Sequence, residues 1–128
     1  MGRPFKIKDG TITNNNGKRV IVHRNKWWWG NTTSFIEGHG YGQVEVQFDD
    51  SWNYICYIRG LIVFTPHRKK GLGSKLLDLA IDEARHRGMK FVKLDANKDE
   101  KWLVEWYERR GFYRVSFDEH EYTMIKVL

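Results

Sequence analysis

The chain has 128 residues and a formal net charge of +6, a length typical of one domain. No apolar run approaches the ~20 residues that cross a bilayer, and no apolar segment follows the basic amino end, so neither a membrane partner nor a signal peptide is expected. The single cysteine, Cys56, excludes an internal disulfide and a thiolate-rich zinc site. We expect one cytoplasmic domain, residues 1–128, whose basic balance favours anionic partners.

The amino-terminal third combines strand patterns with one irregular segment. A turn signal at residues 14–17 separates two segments rich in β-branched or apolar residues, 5–12 and 19–23, which predicts a β-hairpin. Residues 25–42 carry three tryptophans and several Gly or Asn breakers, so we predict a long loop with at most a short helix or strand at 34–37. Residues 43–48 alternate apolar and polar side chains, which indicates a half-buried strand.

The middle of the chain has the clearest pattern. Residues 54–65 form a nearly continuous apolar and aromatic run, which predicts a central strand buried on both faces, with a bulge at Arg59-Gly60. Residues 72–87 predict an amphipathic helix ended by Gly88. Its apolar stripe consists of Leu76, Leu77, Ala80, Ile81 and Ala84.

The carboxy-terminal part adds a strand at 91–96, a second helix and a strand pair at 113–117 and 122–128. Asn97 and Glu100 are spaced as a capping box for the second helix. That helix is predicted to bury Trp102, Leu103, Trp106 and Tyr107. The element order predicts an α/β (α+β) fold with helices packed on a mixed sheet.

The most specific local feature is the turn before the first helix, which reads Pro-His-Arg-Lys-Lys-Gly-Leu-Gly-Ser over residues 66–74. The first turn of a helix presents N–H groups that have no internal partner and carry partial positive charge. Gly71 and Gly73 would let an anion approach these groups, and the Arg-Lys-Lys triplet adds full charges. The turn therefore favours a diphosphate, although an ordinary strand-to-helix turn with solvated lysines fits the same residues. It is neither a Walker A loop nor a dinucleotide fingerprint.

At this point the chain resembles the GNAT superfamily of N-acetyltransferases. The family marks its acetyl-CoA site with Gln/Arg-x-x-Gly-x-Gly/Ala, and residues 68–73 read Arg-Lys-Lys-Gly-Leu-Gly. Residues 107–112, Tyr-Glu-Arg-Arg-Gly-Phe, match a second family pattern, Tyr-Glu-x-x-Gly-Phe. The resemblance covers about residues 43–128. It implies a GNAT-like, mostly antiparallel sheet with splayed central strands, and an acetyl-CoA-dependent N-acetyltransferase that needs no metal.

The resemblance also implies roles for individual residues. Tyr107 would be the general acid that protonates the departing CoA thiolate, with a core aromatic as the alternative. Asn97 would touch the pantetheine arm, with a plain helix cap as the alternative. The backbone of Ile62, Val63 and Phe64 would hydrogen-bond the pantetheine and the acetyl carbonyl. The pyrophosphate would be bound by Arg68, Lys69, Lys70, Gly71, Leu72, Gly73 and Ser74.

The general base and the acceptor site are less clearly marked. Many family members use a Glu on the fourth strand, but residues 54–64 contain no carboxylate. We take Glu45 as the working candidate. The other candidates are Asp95, His67, Glu37, His39 and a chain of waters. Two helices that the family places after its first strand cannot be mapped onto residues 25–42, so the acceptor pocket should be unusual or partly supplied by another subunit.

Two features leave the partners open. Adjacent residues of a strand face opposite ways, so at least one of Trp27, Trp28 and Trp29 should be exposed or lie in an interface with a substrate, a protein partner or a second copy. The leading hypothesis is acetyl transfer by direct attack of a primary amine, on a protein lysine, a protein amino terminus or a small amine. The alternative is a non-catalytic CoA-sensing or protein-binding module. No nucleic-acid motif appears, so a nucleic-acid partner is not expected.

Overall fold

A computed structural model describes residues 10–13, 19–49, 53–68 and 70–128, with the side chains described from residue 19 onward. This part of the chain forms eight strands, two α-helices and a short 3-10 helix at Thr65–His67. The elements are β1 (Gly10–Thr13), β2 (Arg19–Trp27), β3 (Gly30–Glu37), β4 (Gly42–Asp49), β5 (Ile55–Val63), α1 (Leu72–His86), β6 (Phe91–Asn97), α2 (Lys101–Arg109), β7 (Tyr113–Phe117) and β8 (Glu121–Val127).

The strands form one sheet in the order β1-β2-β3-β4-β5-β6-β8-β7. Every neighbouring pair is antiparallel except β5 and β6, which run parallel. A parallel pair needs a crossover connection, and α1 provides it. The predicted mixed, mostly antiparallel sheet with packed helices is confirmed.

Both helices lie on one face of the sheet. α1 packs on β3, β4 and β5, and α2 packs on β6. The ring of Trp106 on α2 approaches Gly73 on α1, so the two helices are neighbours. The side chains of the predicted stripe on α1 are all buried against alternate strand residues such as Phe35, Val44 and Val46. In the described part of the chain, neither helix has the length and apolar character needed to cross a bilayer.

The opposite face of the sheet is covered by no helix of the described residues, and we call it the open face. Strand alternation assigns its side chains, because residues next to the buried ones point the other way. On β4, Gly42, Val44, Val46 and Phe48 are buried toward the helices. The intervening Gln43, Glu45 and Gln47 therefore lie on the open face.

The prediction of a long loop over residues 25–42 is wrong. β2 continues to Trp27, turns over two residues, and pairs with β3 in unbroken register from Val20↔Glu37 to Trp27↔Gly30. Gly and Asn in this segment indicated a loop, but cross-strand pairing and the burial of Thr32, Thr33 and Phe35 outweigh that local preference. The amino-terminal hairpin is confirmed for β1 and β2, while residues 1–9 and the turn at 14–17 lie outside the described residues.

The predicted start of α2 is wrong, and its predicted buried face is only partly right. Asn97 is the last residue of β6, paired with Glu121, and its Oδ1 accepts a hydrogen bond from the Asp99 N–H at 2.9 Å. The helix begins at Lys101, after the N-cap Glu100, which is later than a cap at Asn97 would place it. Tyr107 is buried as predicted, but Trp102 is 53% exposed and Val104 is buried instead, because the helix turns a different stripe toward β6.

A buried ionic cluster fixes α1 on the sheet. The side chain of Glu83 is fully buried and its carboxylate accepts hydrogen bonds from Arg24 on β2 at 2.9 and 3.0 Å. Arg87 Nε donates at 3.1 Å and Thr33 Oγ1 at 2.9 Å. A buried carboxylate needs this degree of compensation, because an unpaired charge in the interior is costly.

Candidate active site

The central feature of the site is a cleft between the two parallel strands. β5 and β6 pair only at Ile55↔Phe91, Cys56↔Val92 and Tyr57↔Lys93. Both strands continue beyond these pairs, β5 to Val63 and β6 to Asn97, and there they part. Beyond these pairs the facing backbone groups do not bond from strand to strand, so each of them needs another partner. The predicted splay of the central strands is confirmed.

A bulge marks the point where β5 leaves β6. Gly60 has φ 61°, in the left-handed region that favours glycine, and the register with β4 shifts between Gln43 and Glu45. The predicted bulge at Arg59-Gly60 is therefore confirmed. The prediction that both faces of this strand are buried is wrong beyond Ile58, because Arg59, Gly60 and Ile62 are exposed.

Val63 presents its backbone to the cleft. Its carbonyl oxygen accepts a 2.8 Å hydrogen bond from Nε of Arg68, and the N–H and C=O of one strand residue point to the same edge. Leu61, two residues earlier, shares that edge, although it was not among the predicted site residues. Phe64 differs, because its N–H donates to the Tyr41 carbonyl at 2.9 Å and its C=O accepts from the His67 N–H at 2.8 Å.

The mouth of the cleft is the beginning of α1. The N-cap Gly71 has φ 82° and ψ 0°, and no described side chain caps the helix. The first intrahelical bond runs from the Lys75 N–H to the Gly71 carbonyl at 3.1 Å. The N–H groups of Leu72, Gly73 and Ser74 therefore project from the helix end with partial positive charge. Lys70 is exposed beside them, and Lys69 lies outside the described residues.

Arg68 spans this mouth. Besides its bond to Val63, its guanidinium carbon lies 5.8 Å from the ring centroid of Trp102 on α2. The side chain thus links the end of β5 to the helix that covers β6. A phosphate at the helix end would offer the guanidinium a charged partner in place of a neutral carbonyl, and charge-assisted hydrogen bonds are the stronger kind.

Arg110 is a further cation at this mouth and was not predicted. Its Nη2 donates to Ser74 Oγ at 2.5 Å, and its guanidinium stacks 3.9 Å above the Trp106 ring. It lines a groove of about 690 Å³ along α1, together with Gly71, Ser74, Lys75, Arg85 and Lys126. Arg110 is part of the Tyr-Glu-Arg-Arg-Gly-Phe motif, so the sequence did contain a signal for this residue. Its contact with Ser74 depends on how α1 and α2 pack, which the motif does not predict.

Tyr107 lies on the buried side of α2. It is 4% exposed, and its ring packs edge-on against Trp106 and Phe112, with centroids 5.2 and 5.5 Å apart. Burial, and secondarily the negative charge of Glu100, raise the pKa of Tyr107 to about 12. The phenol is therefore protonated at neutral pH, as a proton donor must be.

Glu45 lies on the open face beside the bulge. It pairs with Arg59 across β4 and β5. Together with Arg59 and Gly60 it lines a depression of about 170 Å³, which we call the acceptor depression and which also includes Ser34, Ile36, Gln43 and Val44. A carboxylate thus lies next to the point where β5 departs from β6.

The other candidate bases have different surroundings. Asp95 accepts a hydrogen bond from Thr123 Oγ1 at 2.9 Å on the exposed part of β6 and β8. Glu37 bonds His39 Nδ1 at 2.8 Å and accepts the N–H groups of His39 and Tyr41. Burial alone would raise the pKa of Glu37, but these hydrogen bonds and the charge of His39 together lower it. His67 stacks on Tyr41 at 3.6 Å, beside the end of β5 rather than at the bulge.

Comparison with known proteins places these features in a family. Residues 16–112, more than half of the chain, match the acetyltransferase (GNAT) family. The N-alpha-acetyltransferase MAK3 of Arabidopsis thaliana is 30% identical over 90 residues, which are 70% of this chain and 47% of that protein. The chain spans less than half the length of the curated relatives it matches.

Solved structures share the fold at low identity. The PaiA N-acetyltransferase of Thermoplasma acidophilum, in complex with coenzyme A, superimposes with a TM-score of 0.66 at 16% identity over 76% of this chain and 60% of that one. A chain of the NatC complex bound to Gag peptide and CoA gives a TM-score of 0.66 at 20% identity over 76% and 70%. Fold, motifs and family match agree, and the chain belongs to the acetyltransferase (GNAT) family.

Proposed function

We propose that this protein is an acetyl-CoA-dependent N-acetyltransferase that acts on a primary amine by direct attack. The observation that carries the proposal is the continuity of the cleft between β5 and β6 with the uncapped, cationic beginning of α1. A cleft lined by strand backbone suits the amide-rich pantetheine arm. A helix amino terminus with nearby cations suits the pyrophosphate.

The donor would be held by backbone at both ends of the cleft. Val63, with Leu61 on the same edge, would pair with the pantetheine amides, and Ile62 would help hold that edge through its pairing with β4. The amides of Leu72, Gly73 and Ser74 would bind the pyrophosphate. Arg68 would exchange the Val63 carbonyl for a phosphate oxygen, which frees that carbonyl for the pantetheine. Arg110 would add a second guanidinium beside Ser74.

The chemistry would run across the bulge. An acceptor in the depression would give a proton to Glu45, and its nitrogen lone pair would attack the thioester carbonyl carbon. The new C–N bond forms and the C–S bond breaks, and Tyr107 would protonate the CoA thiolate. The acylated nitrogen would release its second proton, which returns through solvent to the phenolate of Tyr107. The Oδ1 of Asn97 accepts a hydrogen bond from the Asp99 N–H, so its side-chain N–H groups would donate to the pantetheine arm.

The relatives support the amine as acceptor. MAK3 is named as an N-alpha-acetyltransferase, and the Salmonella typhimurium relative, 34% identical over 65 residues, as an aminoalkylphosphonate N-acetyltransferase. One acceptor is a protein amine and the other a small amine. Both classes therefore belong in the first test.

The test is a thiol-release assay with acetyl-CoA and a panel of peptide amino termini, lysine peptides and small amines. Cys56 does not interfere, because it is buried and desolvation raises its pKa to about 12. We expect amine-dependent release of CoA that falls by about 10²-fold or more in Tyr107→Phe. Tight CoA binding without turnover by any amine would instead favour the CoA-sensing module.

A further inference from the structure

The tryptophans of the β2–β3 hairpin form a surface that the proposed chemistry does not use. The rings of Trp27 and Trp29 are parallel, with centroids 6.4 Å apart and an interplanar angle of 1°. Trp27 is 47% exposed, whereas Trp28, at the tip of the turn, is 92% exposed and belongs to no ring pair of the described residues. We call Trp27 and Trp29 the Trp pair.

The Trp pair lies against the open face of the sheet. Strand alternation places the Trp27 side chain on that face, where its Nε1 donates a 3.0 Å hydrogen bond to Thr32 Oγ1 and its ring stacks with Trp29. Thr32 is only 4% exposed there, although no described helix covers that face. The indole therefore lies over β3 as a local cover and leaves its outer surface to solvent.

The acceptor depression is a short distance away on the same face. Ser34 pairs with Glu45, and Thr32 pairs with Gln47. Two residues along a strand and one strand spacing across give about 8 Å between Thr32 and Glu45. An extended peptide advances ~3.3 Å per residue, so a chain whose amine reaches Glu45 would arrive at the Trp pair two or three residues later.

The surface between the two points suits a peptide backbone. Gln47 lies opposite Thr32, and its Nε2 donates to Glu45 Oε1 at 3.3 Å. This carboxamide retains a carbonyl oxygen and a second N–H group for a passing main chain. Glu45 gives this surface a carboxylate that complements an ammonium group.

We propose that the Trp pair is an acceptor subsite and that the acceptor is an extended peptide with a free amino terminus. This inference rests on the proposed transferase function. The depression, at about 170 Å³, is smaller than the pockets that enclose whole ligands, and no helix of the described residues covers the open face around it. The peptide's third or fourth residue, with an apolar side chain, would pack on the exposed indole surface.

The experiment compares hexapeptides that have leucine or glycine at positions three and four, with an amino-acid amide as a short acceptor. Trp29→Ala and Trp27→Phe test the pair, and Trp28→Ala is the matched control on the same turn. We expect the leucine peptide to have about a tenfold higher KM in Trp29→Ala with little change in kcat, and the short amide to be unaffected. Trp28→Ala should behave like the unaltered protein.

Two results would overturn the subsite while leaving the transferase intact. One is equal turnover of the leucine and glycine peptides by the unaltered protein, and the other is an equal effect of Trp28→Ala and Trp29→Ala. If no amine is turned over, the proposed function itself fails. Calorimetry of the leucine hexapeptide on the CoA-loaded protein then decides the subsite, because binding that Trp29→Ala weakens would uphold it and absence of heat would reject it.

Discussion

Nε of Arg68 lies 2.8 Å from the carbonyl oxygen of Val63, so a cation from the turn before α1 occupies the backbone acceptor that the pantetheine arm would use. Arg68 thus connects the two halves of the proposed donor site. A ligand that offers a phosphate to the guanidinium and an amide N–H to Val63 satisfies both groups at once. In the structure these two groups satisfy each other.

Replacing Arg68 should weaken donor binding. We expect Arg68→Ala to raise the Kd for CoA about tenfold, because one charge-assisted contact is lost. Arg68→Gln should lose less, since glutamine keeps a hydrogen-bond donor at a position where the family uses either residue. Calorimetry with CoA at two salt concentrations measures both. Arg19→Ala, an exposed cation on β2, is the control, and an equal loss there would mean that only net charge matters.

The two glycines of the turn should respond differently to alanine. Gly71 has φ 82°, so Gly71→Ala should cost about 1–2 kcal/mol of unfolding free energy from the strained backbone. At Gly73 an added Cβ would meet Val63 at 3.6 Å and Trp106 at 3.7 Å, which is ordinary contact. Gly73→Ala should therefore be neutral or stabilising by up to about 1 kcal/mol. Denaturant unfolding of both variants checks this, and equal losses would contradict the assigned conformations.

The buried Glu83 should be the most sensitive carboxylate of the described residues. Glu83→Ala leaves Arg24 and Arg87 without their shared anion, and breaking a buried pair in this way costs about 3–5 kcal/mol. Asp78→Ala, on the exposed side of the same helix, should change the free energy of unfolding by less than about 0.5 kcal/mol. Denaturant unfolding measures both variants, and a small loss in Glu83→Ala would show that the two arginines find other partners.

The sequence was sufficient to predict the helices and strands wherever the local pattern and the tertiary packing favour the same structure. The helix predicted at 72–87 was found at Leu72–His86, and the strand predicted at 43–48 was found at Gly42–Asp49. Residues 25–42 were misjudged because Gly and Asn favour turns locally, while the pairing of β2 with β3 is decided across strands. Asn97 has a capping-box neighbour in sequence, yet its pairing with Glu121 keeps it in β6.

In the candidate site, too, features formed by adjacent residues could be predicted from the sequence, and features formed by distant residues could not. The position of the glycine-rich turn at residues 66–74 could be predicted because its residues are adjacent in sequence. The approach of Glu45 to Gly60, and of Arg110 to Ser74, joins distant residues through sheet register and helix packing. A periodic pattern also could not tell which side of α2 faces the sheet, and Trp102 was therefore wrongly expected to be buried.

The raised pKa of Tyr107 has a measurable consequence. The folded pKa of about 12 exceeds the ordinary value near 10, so the neutral phenol favours the folded state below pH 10. This stabilisation is lost as the pH rises from about 10 to 12, because ionisation of the tyrosine then stabilises the unfolded chain. Tyr107→Phe should remove this part of the alkaline dependence of the unfolding free energy. An unchanged alkaline slope would contradict the burial of the hydroxyl.

The dependence of the unfolding free energy on pH at acid pH should reveal the lowered pKa of Glu37. Its pKa lies below the ordinary value, so its ionised form stabilises the fold above that ordinary value. This stability is lost as the pH falls below about 4.5 toward the lowered pKa. Glu37→Gln should flatten the dependence of unfolding free energy on pH in this window, with Glu105→Gln on the exposed side of α2 as the control. Identical acid profiles for Glu37→Gln and the unaltered protein would argue against the hydrogen bonds to His39 and Tyr41.

The most direct test of the donor site is an NMR titration of the uniformly ¹⁵N-labelled protein with coenzyme A. We expect the largest amide shifts to fall on Val63 at the cleft edge and on Leu72, Gly73 and Ser74 at the beginning of α1. Saturable shifts at these amides would support a donor held between β5 and β6. Binding that leaves these four amides unmoved and shifts another surface would contradict it.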